Sequence, residues 1–464
     1  MSDSKRIDWN GADDYTTKSR LNSAIFFIVC LLPLLSTILF GGVDNTTWIL
    51  ISILWALIIL LWIWESWQTG EIALSRHPLQ IPLIGILLIG LVQLLPFGSS
   101  GQTVGLLPVT AASSFSLDPS ATRFFISRVA VYIVFFAACL TFIRTENRLT
   151  KIITMIVVFG SSMAFLGILL RLANPDGIYG IRETPQAVPF GPFVNQHHFA
   201  SFMQMVGGVT LGLLMGESVS RDKKVLLIIA LVLMSVAALL TGSRGGALGM
   251  VAMAGVVVLL NLITKRPKGM RSSSSSAVGW RSTAPIAAGS AIFLVVIGVL
   301  IFVDGQDSFL RGIGMTVPSE DVTSGRTHFW EIALRIFLDN PTLGVGFDAF
   351  GVAFTKYDTW SGVFRVEQAH NEYLQVLAEG GVPGFICVIA FIFFLFRSSL
   401  KTIKGTAGIG REASIGALAG CIGILIHSFF DFPLRTPSNG FFFLLLCAIA
   451  VYPVTRVRTG ITGH

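Results

Sequence analysis

Twelve runs of about 17 to 20 predominantly apolar residues, set apart by short polar segments, decide the solvent in which this chain folds. Each run is long enough to cross the ~30 Å hydrocarbon core of a bilayer as a helix, and a helix there satisfies its own backbone hydrogen bonds. They fall near 23–40, 47–64, 79–97, 124–143, 152–170, 198–216, 225–240, 246–263, 285–303, 382–399, 412–430 and 439–454. Hydrophobic residues make up 53% of the 464 and charged residues only 13%. With a mean hydropathy of +0.74, that composition excludes a soluble globule with a polar surface. The expected fold is all-α and polytopic, with about 12 transmembrane helices.

Twelve crossings return both termini to one side of the membrane, and the basic residues identify that side. Lys5, Arg6, Lys18 and Arg20 in the tail, with the segments "RTENRLTK", "SRDKK", "TKRPKGMR", "RSSLKTIK" and "TRVR", place most of the 33 Lys and Arg on the side of the termini. Positive charge is retained in the cytoplasm, so both termini are expected there. The first run follows a polar tail and has no small-residue cleavage site after it, which reads as a retained helix and not a signal peptide. Basic loops meeting anionic lipid account for the net charge of +7 without nucleic acid. Cys30, Cys139, Cys387, Cys421 and Cys447 all fall inside runs, a distribution that suggests packing and not a disulfide framework. "RSSSSS" at 271–276 reads as a flexible cytoplasmic linker.

The domain organisation that follows is a cytoplasmic tail over 1–22, nine transmembrane helices over 23–303, a large outer loop over 304–380, and three further helices with a cytoplasmic end over 381–464. Polar chemistry collects on the outer side. Within the loop, "SGRTHFWEIALRIFLDNP" places Arg326, Phe329, Trp330, Ala333, Leu334 and Phe337 on one helical stripe. "FRVEQAHNEYLQVLAEGG" does the same for Val366, Ala369, His370, Tyr373, Leu374 and Leu377, and ends in Gly380 and Gly381 as a helix stop would. In each stripe an ionisable residue occupies a slot reserved for an apolar one, in the opening turns where free N–H groups favour an anion and disfavour a protonated imidazole. Elsewhere on this side lie "TGSRGGALG" with Arg244 among glycines at a helix start, "PFGPFVNQHHFASF" with Asn195, His197 and His198, and "HSFFDFPLRTP" with His427, Asp431 and Arg435. Duller readings stand beside these: Arg326 snorkelling, Arg244 anchoring at the interface, His198 packed, and His427 hydrogen-bonded to Asp431 four residues on.

"SRGG" after a run, "GRTHFWEIALRIFLDNPTLGVGFDAF", and "AHNEYLQVLAEGGVPGF" leading into a run resemble the bacterial O-antigen ligase and polymerase family over roughly 190–440. The resemblance implies a GT-C-like membrane glycosyltransferase of the inner membrane, with a catalytic periplasmic loop and no metal or other cofactor. Its donor would be an undecaprenyl-pyrophosphate-linked glycan, and its acceptor lipid A-core in the ligases or another lipid-linked glycan in the polymerases. Carried over by motif, the catalytic residues would be Arg244, Arg326 and His370. Asn195, His198, Asn371, Tyr373 and Arg435 are the accompanying candidates for substrate contact; at His198 the family's second Asn is replaced.

Residue chemistry points the same way. Arginine presents a fixed, always-ionised fork to phosphate oxygens, and two of them can stabilise a departing pyrophosphate. Histidine, with an ordinary pKa of ~6.5, suits the task of accepting a proton from an acceptor hydroxyl. No Asp-x-Asp pair lies on the outer face and no Cys/His cluster has zinc-like spacing, so the sequence offers no support for a metal-dependent version. A transporter is the rival class, and it would place ionisable groups near the bilayer midplane; here Arg128 is the main charge inside a run.

Overall fold

The computed structural model describes residues 19–96, 114–173, 177–184, 187–264, 325–359 and 366–452. The chain is an all-α, multi-pass membrane protein: among the described residues nine helices are long and apolar enough to cross a bilayer. They are α1 (Arg20–Ile38), α2 (Asn45–Thr69), α4 (Pro119–Phe142), α5 (Glu146–Ala173), α6 (Gln196–Met215), α7 (Arg221–Leu240), α8 (Arg244–Ile263), α11 (Glu372–Gly405) and α12 (Gly408–His427). Two more apolar helices, α3 (Gln80–Gln93) and α13 (Pro437–Ala450), match expected runs but have 14 residues each. At 1.5 Å per residue they reach only about 21 Å, short of a full crossing. The expected run at 285–303, the linker at 271–276 and the first part of the loop lie outside the described residues. A two-residue hairpin, β1 (Gly177–Ile178) and β2 (Arg182–Glu183), interrupts the helical pattern between α5 and α6.

The centre of the bundle is α6, α12 and α13. Inside the protein lie 89% of the apolar window of α6 and 83% of that of α12, and every residue of α13 is buried. Small residues allow α6 and α12 to meet. A Cβ on Gly208 would stand 2.7 Å from the Gly420 nitrogen, and one on Gly212 would stand 2.6 Å from the Gly416 Cα. Backbones this close gain dispersion contacts that larger side chains would prevent. Gly212→Val is therefore expected to force the helices apart and destabilise the fold by about 1–3 kcal/mol, readable as earlier thermal unfolding in detergent.

Of the loop, residues 325–359 fold against α11. Helix α9 (Arg326–Asp339) buries Ile332, Ala333 and Ile336, and α10 (Phe350–Tyr357) buries Phe350, Ala353 and Phe354; the two form a separate small apolar core with Val345, Ala369 and Ala378. The stripe expected on α9 is thus rotated: Ala333 is on it, whereas Leu334 is exposed.

Residues 366–369 are not helical, which corrects the second stripe. Asn371 caps α11 by accepting from the backbone N–H groups of Tyr373 and Leu374, both at 3.1 Å, so the helix begins only at Glu372. Gly380 and Gly381 mark a kink, with φ 62° at Gly381, and α11 resumes directly as a membrane helix. A side chain at Gly381 would meet the carbonyl oxygen of Pro341 at 2.7 Å. Gln93, at the end of α3, clamps this kink: its Nε2 donates to the carbonyls of Leu343 at 2.6 Å and Glu379 at 2.8 Å, and its Oε1 accepts from the Phe347 N–H at 3.0 Å. Gln93→Ala would strand at least the buried Phe347 N–H; we expect a loss of about 2–4 kcal/mol, measured as a lower thermal midpoint.

Candidate active site

Four helix ends meet at one end of the bundle: the starts of α6, α8 and α11 and the finish of α12. Arg244 and Arg326 are the first residues of α8 and α9, capped by Ser243, whose Oγ accepts from the Gly246 N–H, and by Gly325 in the left-handed conformation. Each arginine thus adds its charge to a helix start, where the positive end of the helix dipole already favours anions. Among glycines, Gly245 lets α8 approach α12 closely: a Cβ there would stand 2.6 Å from the His427 ring.

His370 sits just before the cap of α11, at φ 51°. The left-handed region costs a residue with a Cβ about 1–2 kcal/mol, so its neighbours must hold it there. Phe329, one turn along α9 from Arg326, stacks on the ring at 6.0 Å between centroids, and Phe432 meets it edge-on at 4.9 Å. Its Nδ1 donates to Asp431 Oδ1 at 3.1 Å. That pairing corrects the spacing-based one of His427 with Asp431. Helix α12 ends at His427, so the four-residue interval no longer lies on one helical face. His427 instead shares a 2.6 Å hydrogen bond with Ser201 Oγ through its Nδ1.

The electrostatics join these residues. Burial alone would raise the Asp431 carboxyl, but the hydrogen bond from His370 and the charges of His198, His197 and His370 override it and hold it below the ordinary carboxylate range. Burial lowers the Arg326 guanidinium, the Asp431 carboxylate opposes that, and the nearby Arg244 cation adds to it. Arg326 therefore feels both Asp431, the partner of His370, and Arg244. The helix start invoked above to keep His370 uncharged is replaced by a different environment: the ring lies outside the helix and faces a carboxylate.

The accompanying candidates are engaged structurally. Asn195 caps α6 by accepting from the His197 N–H at 2.8 Å, and Asn371 caps α11. Tyr373 donates its hydroxyl to the Leu425 carbonyl at 2.7 Å and packs on Phe429. His198 is buried, bonded to Thr436. Arg435 is held by Glu379 at 2.6 Å, Asp348 at 2.7 Å and Glu372 at 3.6 Å. Burial would lower Arg435, yet those three carboxylates together raise it. Arg128, the charge inside a run, also pairs with Asp348. This network ties α4, the 341–349 stretch, α11 and the 433–435 turn into one unit. Beside it is a cavity of about 220 Å³, lined by apolar residues including Leu83, Phe125, Val376 and Phe443, with Arg128, Glu372 and Arg435 on its wall.

Spacing missed the role of Asp431 because its partner is 61 residues away. The available signal was an acid in the otherwise apolar "FFDF" just past a membrane run.

Fold and site together define a multi-pass membrane protein with a cluster of charged and polar groups where several helix ends meet. Residues 229–389 match the family model described as O-antigen ligase, a span that contains Arg244, Arg326 and His370 but not Asn195, His198, Asp431 or Arg435. Over 170 residues the chain is 24% identical to the exopolysaccharide production protein ExoQ of Rhizobium meliloti (strain 1021), an alignment covering 35% of this chain and 38% of that relative. Both findings support the O-antigen ligase and polymerase family.

Proposed function

We propose that the protein transfers a glycan from an undecaprenyl-pyrophosphate carrier to a sugar hydroxyl, at the periplasmic face of the bacterial inner membrane, with both termini in the cytoplasm. The reading rests on one observation above all: the His370–Asp431 pair lies against Phe329, one turn along α9 from Arg326, whose guanidinium is acted on by both the Asp431 and the Arg244 charges. With Nδ1–H bonded to Asp431, the lone pair of the neutral ring is on Nε2, available to accept the acceptor's hydroxyl proton. The hydroxyl oxygen attacks the anomeric carbon as the bond to the carrier's pyrophosphate breaks, and that electron pair leaves on the pyrophosphate. Arg244 and Arg326 stabilise the charge that develops there, so no metal is required. Direct attack inverts the anomeric centre. Residues 304–380 would serve as the catalytic loop, and Asn195, His198, Asn371, Tyr373 and Arg435 as the shell that shapes the donor and acceptor grooves. The glycan acceptor in this reading is lipid A-core, as in an O-antigen ligase.

The printed name of the Rhizobium relative favours a second reading, in which the acceptor is another lipid-linked chain and the product an exopolysaccharide. The two are separated by the lipopolysaccharide and exopolysaccharide profile of a deletion strain. Loss of capped core identifies the ligase, whereas loss of a secreted polymer or accumulation of single-repeat glycan identifies the polymerase. Both profiles unchanged would remove the glycosyltransferase reading, as would purified protein that moves solute across vesicles and leaves the lipid-linked glycan intact.

A further inference from the structure

His427, the last residue of α12, is a buried imidazole wedged between two other helices. Its Nδ1 shares a 2.6 Å hydrogen bond with Ser201 Oγ on α6, and its Nε2 lies at 3.4 Å from Ser243 Oγ, the hydroxyl that caps α8. That hydroxyl accepts from the Gly246 N–H at 3.0 Å, so the ring reaches the first turn of α8 through its cap, one residue before Arg244. A neutral imidazole has one donor and one acceptor nitrogen, and a hydroxyl serves either, so both tautomers satisfy the bridge. Gly245 leaves the space for it: a Cβ there would stand 2.6 Å from Cδ2 and 3.0 Å from Nε2 of the ring. Gln204, one turn along α6 from Ser201, ties the same turn of α8 by donating to the Gly246 carbonyl at 2.7 Å.

The same end of α12 also holds α11. The Ser428 carbonyl accepts from the Glu372 N–H at 2.9 Å, and the Leu425 carbonyl accepts from the Tyr373 hydroxyl at 2.7 Å. Ser428 follows His427 directly, and Glu372 is two residues after His370. Residues 425–428 therefore grip both the helix that Arg244 opens and the helix that His370 precedes. Buried polar groups that are paired fix one arrangement of the elements they join.

We propose that His427 is a positioning residue: bridging Ser201 and Ser243, it sets the start of α8, and with it Arg244, in register with the His370 segment held by the neighbouring Ser428 carbonyl. The consequence for catalysis rests on the glycan-transfer reading; the bridge itself does not.

Three variants of the full chain in nanodiscs separate the two bonds. An asparagine amide overlies the place of Nδ1 and a glutamine amide that of Nε2. His427→Asn thus keeps the Ser201 side of the bridge, His427→Gln keeps the Ser243 side, and His427→Phe keeps only the bulk. Hydrogen exchange of the peptide spanning 241–250, read by mass spectrometry, is expected to quicken about five-fold in His427→Asn and His427→Phe, the weight of one hydrogen bond. In His427→Gln it should stay within about two-fold of wild type. With an undecaprenyl-pyrophosphate-linked oligosaccharide as donor, kcat of His427→Asn should fall about five-fold with KM within about two-fold, and His427→Gln should recover most of that loss. In an Arg244→Lys background His427→Asn should cost less than about two-fold more, because the residue it aims is already replaced. Equal losses of kcat in both backgrounds, or in both amide variants, are what a general loss of packing gives and overturn the proposal. Exchange unmoved in His427→Asn and His427→Phe overturns it as well. Where neither variant folds, Ser201→Ala frees the ring from its other side and is expected to quicken the exchange about two-fold to three-fold; no change there overturns the proposal equally. Exchange that moves as stated in protein whose wild type transfers no glycan leaves the bridge standing and sinks the glycan-transfer reading instead.

Discussion

Replacing His370 by alanine is expected to lower glycan transfer by about 10²–10⁴-fold, the usual weight of a general base, in a protein that still inserts and unfolds at its normal temperature. The ring contributes little to the fold. It is partly exposed, its left-handed backbone is unfavourable, and Asn371 rather than His370 caps α11. Asp431→Asn separates orientation from charge. An amide in place of the carboxylate can present N–H to Nδ1, and the ring then adopts the tautomer with its proton on Nε2, unable to accept from the acceptor. A comparable loss of transfer is expected, with KM little changed. Full-rate transfer by His370→Ala would remove the base from the mechanism.

Arg244→Lys and Arg326→Lys are each expected to cost about 10²–10³-fold in kcat, although the charge is retained. Lysine offers a point charge on a flexible stem, whereas a guanidinium grips two phosphate oxygens at once with a preset fork. The conservative replacement therefore distinguishes a phosphate grip from an interfacial anchor, because an anchor needs only a long stem and a charge. Steady-state assays with the lipid-linked donor measure it; full activity in both variants would assign the arginines to anchoring. The two should also be strongly non-additive, since they repel one another and act on one leaving group.

Local chemistry was enough to see that the chain lives in a membrane, that among the described residues its membrane helices lie where the apolar runs lie, and that Arg244, Arg326 and His370 deserve attention. A helix in hydrocarbon must be apolar all along its length, and charged residues placed beside such runs stand out at once. Sequence patterning failed where a residue's conformation depends on something distant. The stripe through Val366 and His370 read as a helix because its spacing is helical, yet the Asn371 cap and the Ala369 N–H bonded to Gln375 Oε1 keep 366–369 out of the helix. His427 and Asp431 looked like partners at four residues, and the end of α12 between them sent one to Ser201 and the other to His370. Gln93 gave no sign that it would clamp a kink some 290 residues away, because a buried amide takes its meaning from whichever backbone groups folding brings to it. Apolar length is a property of each segment alone; hydrogen-bond partnership among buried polar groups belongs to pairs, and only the folded chain chooses the pairs.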